Sequence, residues 1–260
     1  MKLAQATTQP LEFLGLLAHH IRWQILVALA QSDLRVQELV NLIQQPPNLI
    51  SYHLKSLRRQ GLVTERRSTA DRRDIYYSLN IDQFHKMYFE TGQALHPAVS
   101  HPVNQPQPQA KTSASSPVRV LFLCTHNSAR SQMAEGLLRK LGGDQVEVFS
   151  AGSEPTSIHP LAIKVMSSLG IDLTQHRVKH LDEFAEQDFD YIVTVCDRVR
   201  EVCPVFPDDP EQIHWSFPDP AAIQGDLQTQ EKGFQDIANQ LTNRIKYLLL
   251  LIQRNRKEKR

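Results

Sequence analysis

Cysteine is scarce in this chain and unevenly spread. The 260 residues hold 3, Cys124, Cys196 and Cys203, and the first 123 positions hold none. An odd, clustered set is a poor framework for structural disulfides and suits reactive thiols in a reducing compartment, so a cytoplasmic protein is expected. Long apolar runs are missing too. No stretch approaches the ~18 apolar residues of a spanning helix, and Leu3 and Ala4 give way at once to Gln and Thr, so a soluble, untargeted protein with no membrane partner is predicted. There is no internal repeat, which sets repeat architectures aside. An overall excess of one charge is also absent, the net charge being +1.

What is present is globular: 41% hydrophobic and 22% charged residues, in a chain long enough for two ordinary cores. Residues 1–95 carry eleven basic against eight acidic side chains, and the remainder eighteen against twenty. Between Ile50 and Arg73 the balance is sharper. Lys55, Arg58, Arg59, Arg66, Arg67, Arg72 and Arg73 face only Glu65 and Asp71, a positive patch that calls for an anionic partner. Over 96–117 the apolar periodicity stops in a stretch rich in Pro, Gln and Ser, with Pro97, Pro102, Pro106, Pro108 and Pro117, which reads as a semi-extended linker. The expected layout is a domain over 1–95, that linker, a second domain over 118–252 and a solvated charged tail over 253–260.

In the first domain Leu11, Leu14, Leu17, Ile21, Ile25, Leu26 and Leu29 fall at helical spacing with a break near Gly15 to His20. Two helices should therefore precede a turn at Gln31 to Asp33. A third runs through Val36, Leu39, Val40 and Ile43 until Pro46-Pro47 stops it and opens a fourth. That fourth helix is expected to turn Leu49, Leu54 and Leu57 inward and Asn48, Ser51, Tyr52, His53, Lys55, Arg58 and Arg59 outward, a helix-turn-helix layout ended by Gly61. Leu62 to Thr64 and Ile75 to Leu79 alternate like two strands around the basic tip Arg66 to Arg73, forming a hairpin wing. An α+β winged helix-turn-helix domain is predicted.

The runs LAHHIRWQILVALA, VQELVNLI, PPNLISYHLKSLRRQGLV and RRDIYYSL resemble the ArsR-type winged-helix repressor family over most of residues 10–90. The resemblance implies transcription regulation through operator DNA, bound by a homodimer whose seam is formed by Leu11 to Leu17 and Ile81 to Leu95. Phosphate contacts by the Lys and Arg set would provide most of the affinity, with Ser51, Tyr52 and His53 as base-edge readers. The chain departs from the family at the start of the third helix. Arsenite-sensing members commonly carry a Cys-x-Cys pair there, and this sequence has Leu34-Arg35-Val36-Gln37. Asp82, His85 and His96 only loosely echo the ligands of zinc-sensing relatives and read as solvated side chains, so no metal is expected.

In the second domain Val118 to Leu123 is an apolar strand that runs into Cys124-Thr125-His126-Asn127-Ser128-Ala129-Arg130-Ser131, and a helical stretch from Gln132 to Leu141 follows. A Cys-x5-Arg loop between a strand and a helix N-terminus makes an oxyanion cradle: backbone N–H groups point inward and the helix dipole favours negative charge. The same field favours a thiolate at Cys124, and the Arg130 guanidinium suits two oxygens of a tetrahedral anion. Asp219, between Pro218 and Pro220, is a carboxyl group on a rigid arm. Strands near Val118–Leu123, Gln145–Phe149, Tyr191–Val195 and Ile213–Trp215 alternate with helices, which predicts an α/β flavodoxin-like domain with a four-stranded parallel sheet. Phe234, Ile237, Ala238, Leu241, Ile245 and Leu248 form the inner face of the last helix.

The CTxNSxRS loop, Ser150-Ala151-Gly152 and the later HWSFPDPA segment resemble the low-molecular-weight tyrosine phosphatase and arsenate reductase family across about residues 118–252. By that resemblance Cys124 is the nucleophile, Arg130 binds the oxyanion, Ser131 hydrogen-bonds the thiolate, Asn127 holds the loop shape and Asp219 is the general acid. Tyr191 to Cys196 is a buried strand ending in a cysteine, with Cys203-Pro204 seven residues further on, and Ala221-Ala222 stand where phosphatase relatives typically carry tyrosines. A phosphatase has no need of those thiols. Arsenate reduction needs two electrons, which successive disulfides can relay. The implied activity is a thioredoxin-coupled arsenate reductase: Cys124 attacks arsenate, Cys196 attacks Cys124 as arsenite leaves, and Cys203 then releases Cys124, leaving a Cys196–Cys203 bridge for thioredoxin. No tightly bound cofactor is expected. A tyrosine phosphatase, and a regulator that senses oxyanion or redox state without turnover, are the alternatives. Some relatives hold potassium with an Asn, a Glu, a Ser and an acidic residue. Asn127, Glu135 and Ser150 match the first three, but Lys179 holds the fourth position, so weak potassium dependence is expected.

Overall fold

The computed structural model describes residues 8–96, 116–202, 206 and 210–258. The chain divides into two compact units, Met1–Ala114 and Ser115–Arg260. Most of the expected linker, residues 97–115, lies outside the described residues, as does Cys203.

The first unit runs α1 (Thr8–Leu17), α2 (His20–Gln31), α3 (Val36–Ile43), α4 (Pro47–Arg59), β1 (Val63–Arg67), β2 (Ile75–Leu79) and α5 (Ile81–Leu95). Local chemistry sets the breaks. The Arg35 amide donates to the Glu38 carboxylate at 2.7 Å at the start of α3, and Gln44 leaves that helix in the left-handed region with φ 57°. Pro47 takes the first turn of α4, where its missing N–H costs nothing. Gly61, at φ 69°, makes the turn into β1. Asn80 caps α5, its Oδ1 accepting from the Gln83 amide at 3.2 Å.

Phe13, Ile25, Leu29, Leu39, Ile50, Leu54, Leu57 and Leu62 are buried together in this unit's core. α1 lies on α5, with the Phe13 and Phe84 rings edge to face at 5.6 Å. β1 and β2 pair antiparallel from Val63↔Leu79 to Arg67↔Ile75. The wing strands thus reach further than expected: Arg66 and Arg67 belong to β1, and the tip is closed by the Ser68 amide on the Asp74 carbonyl at 2.9 Å. Two expectations for α4 are corrected. Ile50, one position on from Leu49, is the fully buried residue while Leu49 is half-buried, and His53 points inward at 3% exposure.

The second unit is an α/β domain on one parallel sheet, in the order β4-β3-β5-β6. Its strands are β3 (Val118–Cys124), β4 (Val146–Gly152), β5 (Tyr191–Thr194) and β6 (Glu211–His214), and its helices are α6 (Arg130–Gly142), α7 (Pro160–Ser168), α8 (Asp197–Val202) and α9 (Leu227–Glu258). β3 is apolar nearly throughout because it is central and covered on both faces. α9 turns Phe234, Ile237, Ala238, Leu241, Ile245, Leu248 and Ile252 to the core, each such burial worth about 1.5–3 kcal/mol for the larger side chains. The helix does not stop at 252. It continues through Glu258, with Asn255 Nδ2 donating to the Tyr191 hydroxyl at 3.0 Å and Arg256 Nη2 to the Ser116 carbonyl at 2.8 Å. The expected free tail is therefore docked helix over these residues, because two of its side chains reach hydroxyl and backbone acceptors at the amino ends of β5 and β3.

Among the described residues no single helix is long and apolar enough to cross a membrane.

Candidate functional site

The loop between β3 and α6 sits at the carboxyl end of the sheet. Cys124 closes β3, and α6 begins at Arg130. Side chains inside the loop hold it closed. The Asn127 amide donates to Cys124 Sγ at 3.1 Å, and Ser131 Oγ lies 2.9 Å from the same sulfur. Asn127 takes φ 47°, a left-handed conformation that Asn tolerates, and its side chain secures it. Nδ2 donates to Ser131 Oγ and to Ser150 Oγ, each at 2.9 Å, while Oδ1 accepts from Gln132 Nε2 at 3.0 Å and from the Lys179 amide at 2.9 Å. A side chain at Gly152 would meet the Thr125 carbonyl at 2.6 Å and the Asn127 nitrogen at 2.8 Å, so only glycine lets β4 lie this close to the loop. On the outer side the loop carbonyls of Thr125, His126 and Ser128 accept from the amides of Glu154, Thr156 and His159 at 2.8, 3.0 and 2.9 Å. Ala129 is buried at the start of α6.

A further set of bonds runs from Asn127 to a buried ion pair. Ser150 Oγ donates to Glu135 Oε2 at 2.6 Å, and Lys179 Nζ stands 3.3 Å from the same oxygen and donates to the Arg177 carbonyl at 3.1 Å. Asn127, Ser150, Glu135 and Lys179 thus form a closed circuit, since the Lys179 amide returns to Asn127.

Arg130 is 6% exposed. Its Nη1 donates to the Phe217 carbonyl at 3.0 Å and its Nη2 is 3.3 Å from Asp219 Oδ2. Asp219 also caps a short turn, accepting from the Ala221 amide at 3.2 Å. The arm from β6 therefore brings a carboxyl group to the guanidinium at the end of the Cys124–Arg130 loop.

Cys196 lies beyond the end of β5. The adjacent Val195 amide donates to the Leu123 carbonyl at 2.8 Å, which sets Cys196 beside Cys124 at the ends of neighbouring strands. Both cysteines are buried and free, and Cys196 Sγ is 3.3 Å from Thr125 Oγ1. Burial, with Cys196 as a close neighbour, pushes the Cys124 thiol up; Arg130, the Ser131 hydroxyl and the Asn127 amide pull it down without prevailing. The positive and hydrogen-bonding groups of the loop act in the direction expected, toward a thiolate, and desolvation of the buried sulfur acts against them.

The sequence pattern singles out Cys124, Asn127, Arg130, Ser131, Cys196 and Asp219 from positions nearly a hundred residues apart, and the fold places all six at one end of the sheet. It gives no warning of Gln132, the Phe217 carbonyl, or the buried side chains of Asp197, His214 and Ser216 behind Cys196. The polar residues within HWSFPDP were the available signal, since an otherwise apolar strand end has little reason to carry a buried histidine.

In the first unit Asn48, Ser51, Tyr52, Lys55, Arg58 and Arg59 lie on the outer side of α4. Tyr52 is 66% exposed. Arg58 pairs with Glu65 at 2.5 Å and Arg73 with Asp71 at 2.9 Å, while Arg67 Nη1 donates to the Arg72 carbonyl at 3.1 Å. Arg66 Nη1 donates to the Arg67 carbonyl at 2.9 Å. His53 lies under this face, its ring 4.3 Å from that of His19, and the Nδ1 atoms of both rings are buried without a hydrogen-bond partner. Among the described residues no group of three or more His, Cys, Asp or Glu could hold a metal ion.

The family model for low molecular weight phosphotyrosine protein phosphatase matches residues 119–259, and that for bacterial regulatory protein, arsR family, matches residues 19–65. An arsenate reductase of Halalkalibacterium halodurans is 39% identical over 127 residues, which cover 49% of this chain and 91% of that protein. An arsenate reductase of Bacillus subtilis is 38% identical over 127 residues, with the same coverage. Among solved structures, a thioredoxin-dependent arsenate reductase of Corynebacterium glutamicum is 26% identical, covers 89% of this chain and 98% of its own, and superposes with a TM-score of 0.45.

Proposed function

The chain belongs to the low molecular weight phosphotyrosine protein phosphatase family, with an arsR-family helix-turn-helix ahead of it, and we propose that it reduces arsenate to arsenite and regulates transcription. The observation that carries the reductase reading is the pair of buried, free thiols at the ends of adjacent strands, Cys124 in the anion loop and Cys196 beside it. Hydrolysis of a phosphate ester needs the first thiol alone. Reduction of As(V) needs a second one to take the first to a disulfide.

In this reading arsenate sits in the loop against Arg130 and the Asn127 side of the cradle. Cys124 Sγ attacks arsenic, and the proton of Asp219 goes to the departing oxygen, which leaves as water. Cys196 thiolate then attacks Cys124 Sγ. An S–S bond forms, the S–As bond breaks, and its electron pair stays on arsenic, so As(V) leaves as arsenite. Cys203 attacks Cys196, frees Cys124 as a thiolate and leaves a Cys196–Cys203 disulfide that the dithiol of thioredoxin reduces. The Asp219–Arg130 contact supports the acid role, since a carboxyl group at the guanidinium is within reach of an anion held there.

For the first unit, Ser51 and Tyr52 are the proposed base readers, and Asn48, Lys55, Arg58, Arg59, Arg66, Arg67, Arg72 and Arg73 the proposed phosphate contacts. His53 is withdrawn from that set because it is buried. Exposed Leu11, Leu14, Tyr88 and Leu95 on α1 and α5 support a homodimer seam on those helices.

The deciding experiment is arsenate-dependent NADPH oxidation in the presence of thioredoxin and thioredoxin reductase, beside p-nitrophenyl phosphate hydrolysis and a Cys196→Ser control. Arsenate turnover that the control loses supports the reductase; ester hydrolysis without arsenate turnover, unaffected by the substitution, makes the domain a phosphatase.

A further inference from the structure

Behind Cys196 lies a buried polar chain that the thiol exchange itself does not use. Asp197, the next residue and the first of α8, is 0% exposed. Its Oδ1 accepts from Ser216 Oγ at 2.7 Å and lies 3.3 Å from His214 Nε2. The other ring nitrogen of His214 is 2.8 Å from Thr194 Oγ1, on the strand that leads into Cys196. Thr194 and His214 are also register partners of β5 and β6. One imidazole therefore grips the chain on both sides of Cys196, through Thr194 two residues before it and Asp197 directly after it.

A carboxyl group buried this deeply costs several kcal/mol unless its oxygens are matched, and an apolar residue would fill the space without that cost. The position matters for the chemistry. Cys196 must approach Cys124 Sγ opposite the breaking S–As bond, and a misplacement of about 1 Å in such a step costs roughly 10²-fold in rate. The Thr125 hydroxyl touches the Cys196 sulfur from the loop side but does nothing to fix its backbone.

We propose that Asp197 and His214 are positioning residues for the second step of the thiol relay, bracketing Cys196 so that its sulfur meets Cys124 in line as arsenite departs. This rests on the relay reading of Cys124 and Cys196. The action is through hydrogen-bond geometry at Oδ1, so an Asn at 197, which offers the same acceptor, keeps it, and an Ala does not.

The test uses the full-length, pre-reduced protein mixed with arsenate in the absence of thioredoxin, reading the rate of the single burst of arsenite. Asp197→Ala is expected to slow the burst by about 10²-fold, with the concentration of arsenate giving half-maximal burst rate and the hydrolysis of p-nitrophenyl phosphate unchanged. Asp197→Asn is expected to restore most of the rate. Ser216→Ala, a milder change that removes one of the groups on Oδ1, is expected to slow the burst less and in the same way, and it decides the matter if Asp197→Ala does not fold. A burst as fast as wild type in these variants overturns the proposal, and so does a parallel fall in ester hydrolysis, which would make the network structural only. Cys196→Ser is run alongside: a normal burst from that variant sinks the relay reading itself, whatever Asp197 does.

Discussion

Arg130 and Asp219 meet across 89 residues of sequence, the guanidinium Nη2 standing 3.3 Å from the carboxylate. Nη1 of the same group holds the Phe217 carbonyl two residues earlier, so the Cys124–Arg130 loop and the arm that carries Asp219 are fastened by one side chain. An anion held by Arg130 would lie within reach of Asp219. Asp219→Asn keeps the shape and the turn-capping oxygen but has no proton to give, and is expected to lower kcat for arsenate by roughly 10²–10⁴-fold with a smaller change in KM. Steady-state kinetics on the full chain check this; an unaltered kcat would remove Asp219 from the proton transfer.

Arg130→Lys separates the two duties of that residue. Lysine keeps the charge but not the two-pronged fork, so it cannot hold both the Phe217 carbonyl and a pair of anion oxygens. The expected outcome is a large rise in KM for arsenate together with a fall in kcat, because Asp219 loses its anchor as well. A rise in KM alone, with kcat retained, would show that the arm stays in place without Arg130.

The loop was legible because strand, Cys-x5-Arg and helix are local signals, and the two thiols because a cysteine at a strand end is conspicuous in a chain with so few. Side-chain direction inside a helix was harder. Periodicity marks a face only to within one residue, and at Ile50 and His53 the packing of α4 on α2 turned the helix so that both are buried. The circuit from Asn127 through Ser150 and Glu135 to Lys179 joins four segments that no spacing relates. Only the resemblance singled those residues out, and it gave no reason for the bonds that connect them. The end of α9 was not legible because the composition over 254–260 is that of a solvated tail, whereas the docking of Asn255 and Arg256 depends on where Tyr191 and Ser116 happen to lie.

The buried His53 ring, on the inner side of α4 and 4.3 Å from that of His19, is expected to make the first unit acid-sensitive. Burial, then the proximity of His19 and of Arg22, lowers the affinity of His53 for a proton. The unfolded chain then binds a proton near pH 6.5 while the folded one does not, so stability is full above that value and is lost as pH falls below it toward the folded value. Thermal melts of the full chain are expected to show the first unit weakening from pH 7 to pH 5, and His53→Gln is expected to flatten that dependence. An identical slope in the variant would assign it elsewhere.

DNA binding separates into two kinds of interaction that salt distinguishes. Arg72 is exposed at the wing tip and Arg59 at the end of α4, so Arg→Ala at either is expected to weaken binding to all sequences alike and to reduce the salt slope by about 0.9 for each phosphate left without its cation. Ser51→Ala and Tyr52→Ala are expected to leave the slope intact and to narrow the gap between operator and non-operator DNA. Titrations at two salt concentrations read both effects. A change of slope from Tyr52→Ala would place that residue on the phosphate backbone.

Lys179 places a fixed cation where it neutralises Glu135, which is buried and already accepts from Ser150. Through Ser150 that charge steadies Asn127 in its left-handed conformation, and the Lys179 amide closes the circuit from the other side. A mobile metal cation would find its charge already supplied and an ammonium in its way. Turnover in potassium chloride is therefore expected to equal that in sodium chloride at the same ionic strength. Lys179→Gln should leave the Glu135 charge paired with Arg139, at 2.5 Å from Oε1, and lower the melting temperature of the domain by less than the loss of a sole partner would. In that variant, and not in the parent, potassium is expected to raise both melting temperature and turnover. Strong activation of the parent by potassium over sodium would mean that Lys179 does not stand in for an ion, and that the circuit is held by another charge.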